Sequence, residues 1–118
     1  MRRALTLTLP ALATVGALII QPAVAETLTR EQVSRQIIDK DLTATRNGMT
    51  VRLRYNSDGS IVMKVAFMSG AGNWVYVGDE LCMTLTKGPK RGKTCVTFED
   101  LGNGAYRNSE GLILHRQK

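Results

Sequence analysis

Cys82 and Cys95 are the two residues of this chain whose type and spacing bear most directly on chemistry. Their separation is not the C-x-x-C of a redox dithiol. The single histidine, His115, has no ligand-type neighbour in sequence with which to complete a metal site. The midpoint between the cysteines falls at Gly88-Pro89, so the two can face each other across an antiparallel hairpin. In an oxidising compartment the pair becomes a disulfide closing a short loop, which contributes roughly 3 kcal/mol by chain entropy for about 15 residues.

Catalytic readings find little support. Nucleophilic or general acid–base chemistry needs at least two groups brought together, usually through histidine. His115 sits three residues from the end, between Leu114 and Arg116, where a solvent-facing side chain is the ordinary outcome. Asp58, Asp79, Glu80, Asp100 and Glu110 all fall in expected turns, where short acidic side chains bond to their own backbone. Asn56-Ser57-Asp58-Gly59 lacks the remaining oxygen ligands of a calcium loop. Gly70-Ala71-Gly72 lacks the lysine and helix of a phosphate loop. No enzyme, metal or cofactor is expected.

Two clusters suit binding better. Lys87, Lys90, Arg91 and Lys93 place four cations within seven residues around Gly88, Pro89 and Gly92, on a loop whose base the disulfide would hold. Such a tip matches an anionic envelope component or an acidic protein, although a solvated hairpin tip that discourages edge pairing is the more ordinary outcome. Nucleic acid is not expected, because the loop carries no aromatic side chain for base stacking. Trp74 and Tyr76 alternate with Val75 and Val77 and therefore share one face. They are expected in the core, with a ligand-lining aromatic wall as the alternative.

The elements that position these residues follow a leader. Met1, Arg2 and Arg3 precede an uncharged stretch from Ala4 to Ile20, and Pro22 comes just before Ala23-Val24-Ala25. This is the layout of a signal peptide cleaved before Glu26, and position 26 is not the cysteine of a lipoprotein. A single domain at 26–118, periplasmic or secreted and without a stable membrane anchor, is expected. The whole chain has a formal charge of +6. Loss of Arg2 and Arg3 leaves fourteen cations against ten anions, or +4.

Thr29-Arg30-Glu31-Gln32 has the form of a capping box. Val33, Ile37, Ile38 and Leu42 give an apolar stripe, so the pattern predicts a helix from about Arg30 to Lys40 that covers a core. From Gly48 the period changes to two. Met49 to Tyr55, Ser60 to Met68, Trp74 to Val77, Leu81 to Thr86, Thr94 to Glu99, Ala105 to Asn108 and Leu112 to His115 read as strands. The strand at Ser60 to Met68 is apolar on both faces, which places it centrally or under the helix. Six or seven short strands with tight turns predict a small antiparallel meander or barrel with one N-terminal helix and one disulfide.

The run from Trp74 to Cys82, W-V-Y-V-G-D-E-L-C, is followed by Cys95 and then by G-A-Y-R-N-S-E-G. It resembles a family of small secreted Gram-negative bacterial proteins known only as a domain of unknown function. That family's strand pair reads W-x-V-x-G-D-x-x-C, with Tyr76 here at the pattern's valine. The likeness covers about half of residues 26–118 and implies a structural framework without catalytic residues. The layout is also similar to small barrel inhibitors of secreted metalloproteases, a likeness of fold alone. The function expected first is a non-enzymatic binding or interaction module of the cell envelope. An inhibitor of an envelope or secreted enzyme and a carrier of a small apolar ligand are the alternatives.

Overall fold

In the computed structural model the described residues are 26–88 and 92–117. The expected leader and the loop residues Pro89, Lys90 and Arg91 lie outside them.

The helix α1 spans Arg30–Gln36. Both arms of its capping box form, with Thr29 accepting from the Gln32 N–H and Gln32 accepting from the Thr29 N–H. It ends earlier than Lys40. Asp39 turns into the left-handed region at φ 64°, and its N–H donates to the Tyr55 carbonyl at 2.8 Å rather than back into the helix. That bond ties the end of the helix to the sheet. Val33 and Ile37 are fully buried on its inner face.

Nine strands follow, two more than the largest count expected: β1 Leu42–Arg46, β2 Met49–Tyr55, β3 Ser60–Val65, β4 Met68–Val77, β5 Glu80–Lys87, β6 Gly92–Val96, β7 Phe98–Gly102, β8 Ala105–Asn108 and β9 Ile113–Arg116. All neighbours are antiparallel in the order β6-β5-β4-β3-β2-β1-β9-β8-β7, and the sheet curls into a half-barrel.

Three departures from the expected strands have physical causes. β1, Leu-Thr-Ala-Thr-Arg, is short and mostly polar, yet its buried Leu42 and Ala44 pair with β2 on one side and β9 on the other. β4 runs straight through Ser69 to Asn73 because these glycines sit against β5 instead of breaking the strand. A Cβ on Gly72 would collide with the Thr84 carbonyl oxygen, and one on Gly70 would lie 3.1 Å from the Lys87 carbonyl oxygen. The apolar run from Thr94 to Glu99 is two strands bent at Thr97, β6 on one edge of the sheet and β7 on the other.

The bend at Thr97 brings the two edges together. Thr97 N–H donates to Ser109 Oγ at 3.0 Å, and Ser109 N–H donates to the Thr97 carbonyl at 2.9 Å. On one side of this seam Leu28 N–H donates to the Phe98 carbonyl at 2.8 Å, and Thr27 bridges Glu99. On the other side β6 has, among the described residues, β5 as its only strand neighbour.

The helix lies across one end of the half-barrel, where Arg30 donates from its N–H to Asp79 and from Nε to the Gly78 carbonyl, both at 3.0 Å. It covers no outer sheet face. β3 is interior to the sheet, but its outward Val62 is 47% exposed.

Candidate functional site

The two ends of the half-barrel are filled differently. At the helix end, Tyr55, Trp74, Phe98 and Tyr76 pack edge to face at centroid distances of 5.0 to 6.5 Å. Trp74 Nε1–H donates to the Asn56 carbonyl at 2.8 Å. Tyr76 shares a 2.6 Å hydrogen bond with Ser34 and lies under the Arg30 guanidinium at 5.1 Å. Burial pushes the Tyr55 phenol well above its usual pKa. This end is a packed and hydrogen-bonded plug, so neither Trp74 nor Tyr76 forms a cavity wall.

At the opposite end the interior is hollow. β4 supplies glycine at positions 70 and 72 and therefore no side chain. Facing strands supply flexible or aliphatic groups: Val51 and Leu53 of β2, Met63 of β3, Met83 and Leu85 of β5. Together they enclose a cavity of about 270 Å³. It reaches the gap between the free edge of β6, through Gly92, Lys93 and Thr94, and the turn carrying Glu110 and Leu112. Arg46, Lys93 and Glu110 form its charged rim. Depth of enclosure separates it from a larger polar depression of about 880 Å³ beside Gln36, Tyr106 and Arg116, which lies open to solvent.

Tyr55, Thr94 and Asn108 add polar side chains to the cavity wall. Asn108 is 9% exposed, and its Oδ1 accepts from the Glu110 and Leu112 N–H groups, each at 3.0 Å. These two bonds shape the β8–β9 turn and identify which amide atom is oxygen. Nδ2 remains as a donor with no protein acceptor among the described residues. A buried donor of this kind favours a ligand that brings an oxygen.

The remaining sequence candidates lie elsewhere. Cys82 and Cys95 are directly opposed on β5 and β6 and bonded, with a Cα separation of 3.9 Å. Glu80 lies beside them, but both sulfurs are committed to each other and leave one carboxylate, too few donors for a metal. Lys87 closes β5 and Lys93 lies on β6, both exposed. Lys93 alone of the basic cluster lines the cavity among the described residues. His115 is exposed on β9 opposite Thr43.

Some carboxylates bond locally, and others accept bonds across the chain, Asp79 from the Arg30 N–H and Asp41 from Arg54. Asp58 accepts from the Ser60 hydroxyl and N–H, which holds its pKa below the usual value. Asp100 accepts from the Gly102 N–H at 2.8 Å. Glu80 and Asp100 belong to strands rather than to the expected turns. Asp39 accepts from the Ser57 N–H at 2.8 Å, the chief cause of its lowered pKa.

The cavity residues Val51, Met63, Met83, Leu85 and Asn108 went unnoticed in the sequence as a site. Their shared signal is inward parity on neighbouring strands, which becomes visible only once the register is known. Comparison with family models, curated proteins and solved structures gives no match.

Proposed function

We propose that the protein is a non-enzymatic binding module of the bacterial cell envelope, periplasmic or secreted, and that it holds a small, mainly apolar ligand in the open end of its half-barrel. The observation that carries this reading is the mainly apolar cavity of about 270 Å³, open on one side. A water occupies about 30 Å³ of liquid and a methylene about as much, so the space suits a chain of roughly eight to ten carbons. Met63 and Met83 give walls that adapt to an irregular chain. The Asn108 amide supplies a hydrogen bond for a carbonyl or carboxylate oxygen, and the Lys93 and Arg46 ammonium and guanidinium groups stand at the rim for an anionic head.

The sequence ranks an apolar-ligand carrier below other binding modules because a chain this small has little core to spare. The helix-end plug answers that objection. Aromatic packing is concentrated in one half, which leaves the other half free to stay open.

Displacement of an apolar fluorescent dye by decanoic acid tests the proposal. Dye should bind one per chain, decanoic acid should displace it, and decane-1-ol should do so more weakly. A Leu85→Trp variant, which fills the cavity from β5, should lose dye binding while melting no lower than the parent. Dye binding unchanged in that variant would overturn the reading.

A further inference from the structure

The open end of the half-barrel also carries a surface that shares only Arg46 with the cavity. Because neighbouring strands alternate in direction, the turns at 47–48 and 66–67 and the β5 terminus at 87–88 gather at the end opposite the helix. The turn between β3 and β4 contains two residues, Ala66 and Phe67, between the paired Val65 and Met68. Ala66 is held at φ 54°, a conformation in which a hairpin usually places glycine. Phe67 next to it is 93% exposed. Met49 and Met68, at the starts of β2 and β4, are 47% and 45% exposed. An aromatic ring at the tip of a short hairpin, with two methionines at its base, leaves apolar area in water for which the fold itself has no use.

The charge around this tip is one-sided. Lys64 pairs across from Ser69 at the base of the hairpin, Lys87 lies across from Ala71, and Arg46 lies across from Met49. Arg52 is opposite Lys64. All four are exposed. Among the described residues Glu110 lies at this end, and Glu99 of β7 lies opposite Arg107, itself opposite Ile113, and pairs with that arginine at 3.4 Å. Glu31, Asp39, Asp41, Asp58, Asp79, Glu80 and Asp100 lie at or toward the helix end, on the helix itself, on the turns beside it and at strand ends around it. Arg30, Arg35, Lys40, Arg54 and Arg116 stand among those acids, so the helix end is mixed in charge while the open end is predominantly basic and carries the exposed ring.

We infer that the open end docks on an anionic lipid surface, with Phe67 inserted among the acyl chains and Lys64, Lys87, Arg46 and Arg52 against the phosphate headgroups. The chemistry matches on both counts. An exposed ring flanked by cations gains from the apolar layer and from the negative surface together, whereas an acidic protein would satisfy the charges and leave Phe67 in water. Docking in this pose also turns the mouth of the cavity toward the source of acyl chains. The inference does not rest on the cavity, since Phe67 is not one of its lining residues, and vesicle binding and dye binding can fail separately.

Co-sedimentation of the purified protein with phosphatidylglycerol vesicles and with phosphatidylcholine vesicles tests this. Binding to the anionic vesicles alone is expected. It should weaken as salt shortens the screening length from about 10 Å at 0.1 M to about 3 Å at 1 M. Phe67→Ser should reduce it by about tenfold or more, the effect of withdrawing one large apolar side chain. Lys64→Gln and Lys87→Gln should each reduce it about fivefold. Both positions are exposed, and thermal melts equal to the parent's would show that the fold is intact. Three results would overturn the inference: no binding to anionic vesicles, equal binding to both vesicle types, or undiminished binding by Phe67→Ser. Capture by polyglutamate that is independent of Phe67, without vesicle binding, would reassign the surface to an acidic protein.

Discussion

The helix end and the open end of this half-barrel are built from the same nine strands, yet they differ in what fills them. At the helix end the inward positions are Tyr55, Trp74, Phe98 and Leu81, all buried, and the Trp74 indole N–H donates to the Asn56 carbonyl. At the open end Leu53 is buried, and the inward Val51, Met63, Met83 and Leu85 are only partly so. Packed core and open space are thus assigned to different halves. The difference shows how a small domain can keep a cavity, by concentrating its large rings under one capping helix.

The largest effect should come from emptying the filled end. Trp74→Ala is expected to destabilise the fold by about 3 to 5 kcal/mol, the range for removing a large core side chain. Met83→Ala, on the neighbouring strand but bordering space that already exists, should lose about 1 kcal/mol or less. The lost contacts there are fewer and no new void forms in packed surroundings. Thermal or denaturant unfolding of the two variants compares the ends directly. Equal losses would mean that the open end is as tightly packed as the closed one.

Reduction of the Cys82–Cys95 bond comes next. It should lower stability by roughly 3 kcal/mol through the freed loop while leaving the helix-end plug assembled. The bond lies on the outer face, where Cys82 is opposite the outward Val75. A melt in reducing agent checks this. Loss of all cooperative unfolding would show that the staple organises the core and does not merely restrict the loop.

How much of this contrast the sequence discloses differs by element. The capping box at Thr29 to Gln32 marks the start of the helix, and the alternation from Met49 to Tyr55 marks β2 within its observed bounds. The cysteine hairpin follows from a turn midway between the two residues. β1 is missed because Thr43, Thr45 and Arg46 dilute its two apolar anchors, and its partner β9 comes from the far end of the chain. The length of β4 is missed because Gly70 and Gly72 read as breakers, when their role is to let β5 approach. The division at Thr97 cannot be read from an apolar run, since it depends on which edge each half joins. The cavity is the least legible feature. Empty space leaves no residue signature, and the wall is assembled from the register of four separate strands. Of the five carboxylates expected to bond their own turns, Asp58 and Asp100 do so, while Asp79 accepts from the Arg30 N–H at the start of the helix.

The smallest predicted effect concerns acid stability at the helix end. Asp39 has its pKa lowered, chiefly by the Ser57 N–H it accepts. A carboxylate with a lowered folded-state pKa contributes stability that is present above its ordinary value of 3.8 and lost as pH falls through the lowered one. Asp39→Asn retains an acceptor oxygen and tolerates the left-handed φ of this position. It should leave the neutral-pH melting temperature little changed and flatten the decline below pH 3.8. A variant whose melting temperature falls with acid as steeply as the parent's would remove Asp39 from the account.

The claim that one end binds and the other only holds is tested most directly by following side chains from both ends in one NMR titration with decanoic acid. The methyl resonances of Met63 and Met83 and the Asn108 side-chain amide should shift and saturate together, while the Trp74 indole N–H stays in place. Movement of the Trp74 signal with the two methionine methyls unmoved would contradict the account, because the ligand would then be entering the half that the structure shows to be filled.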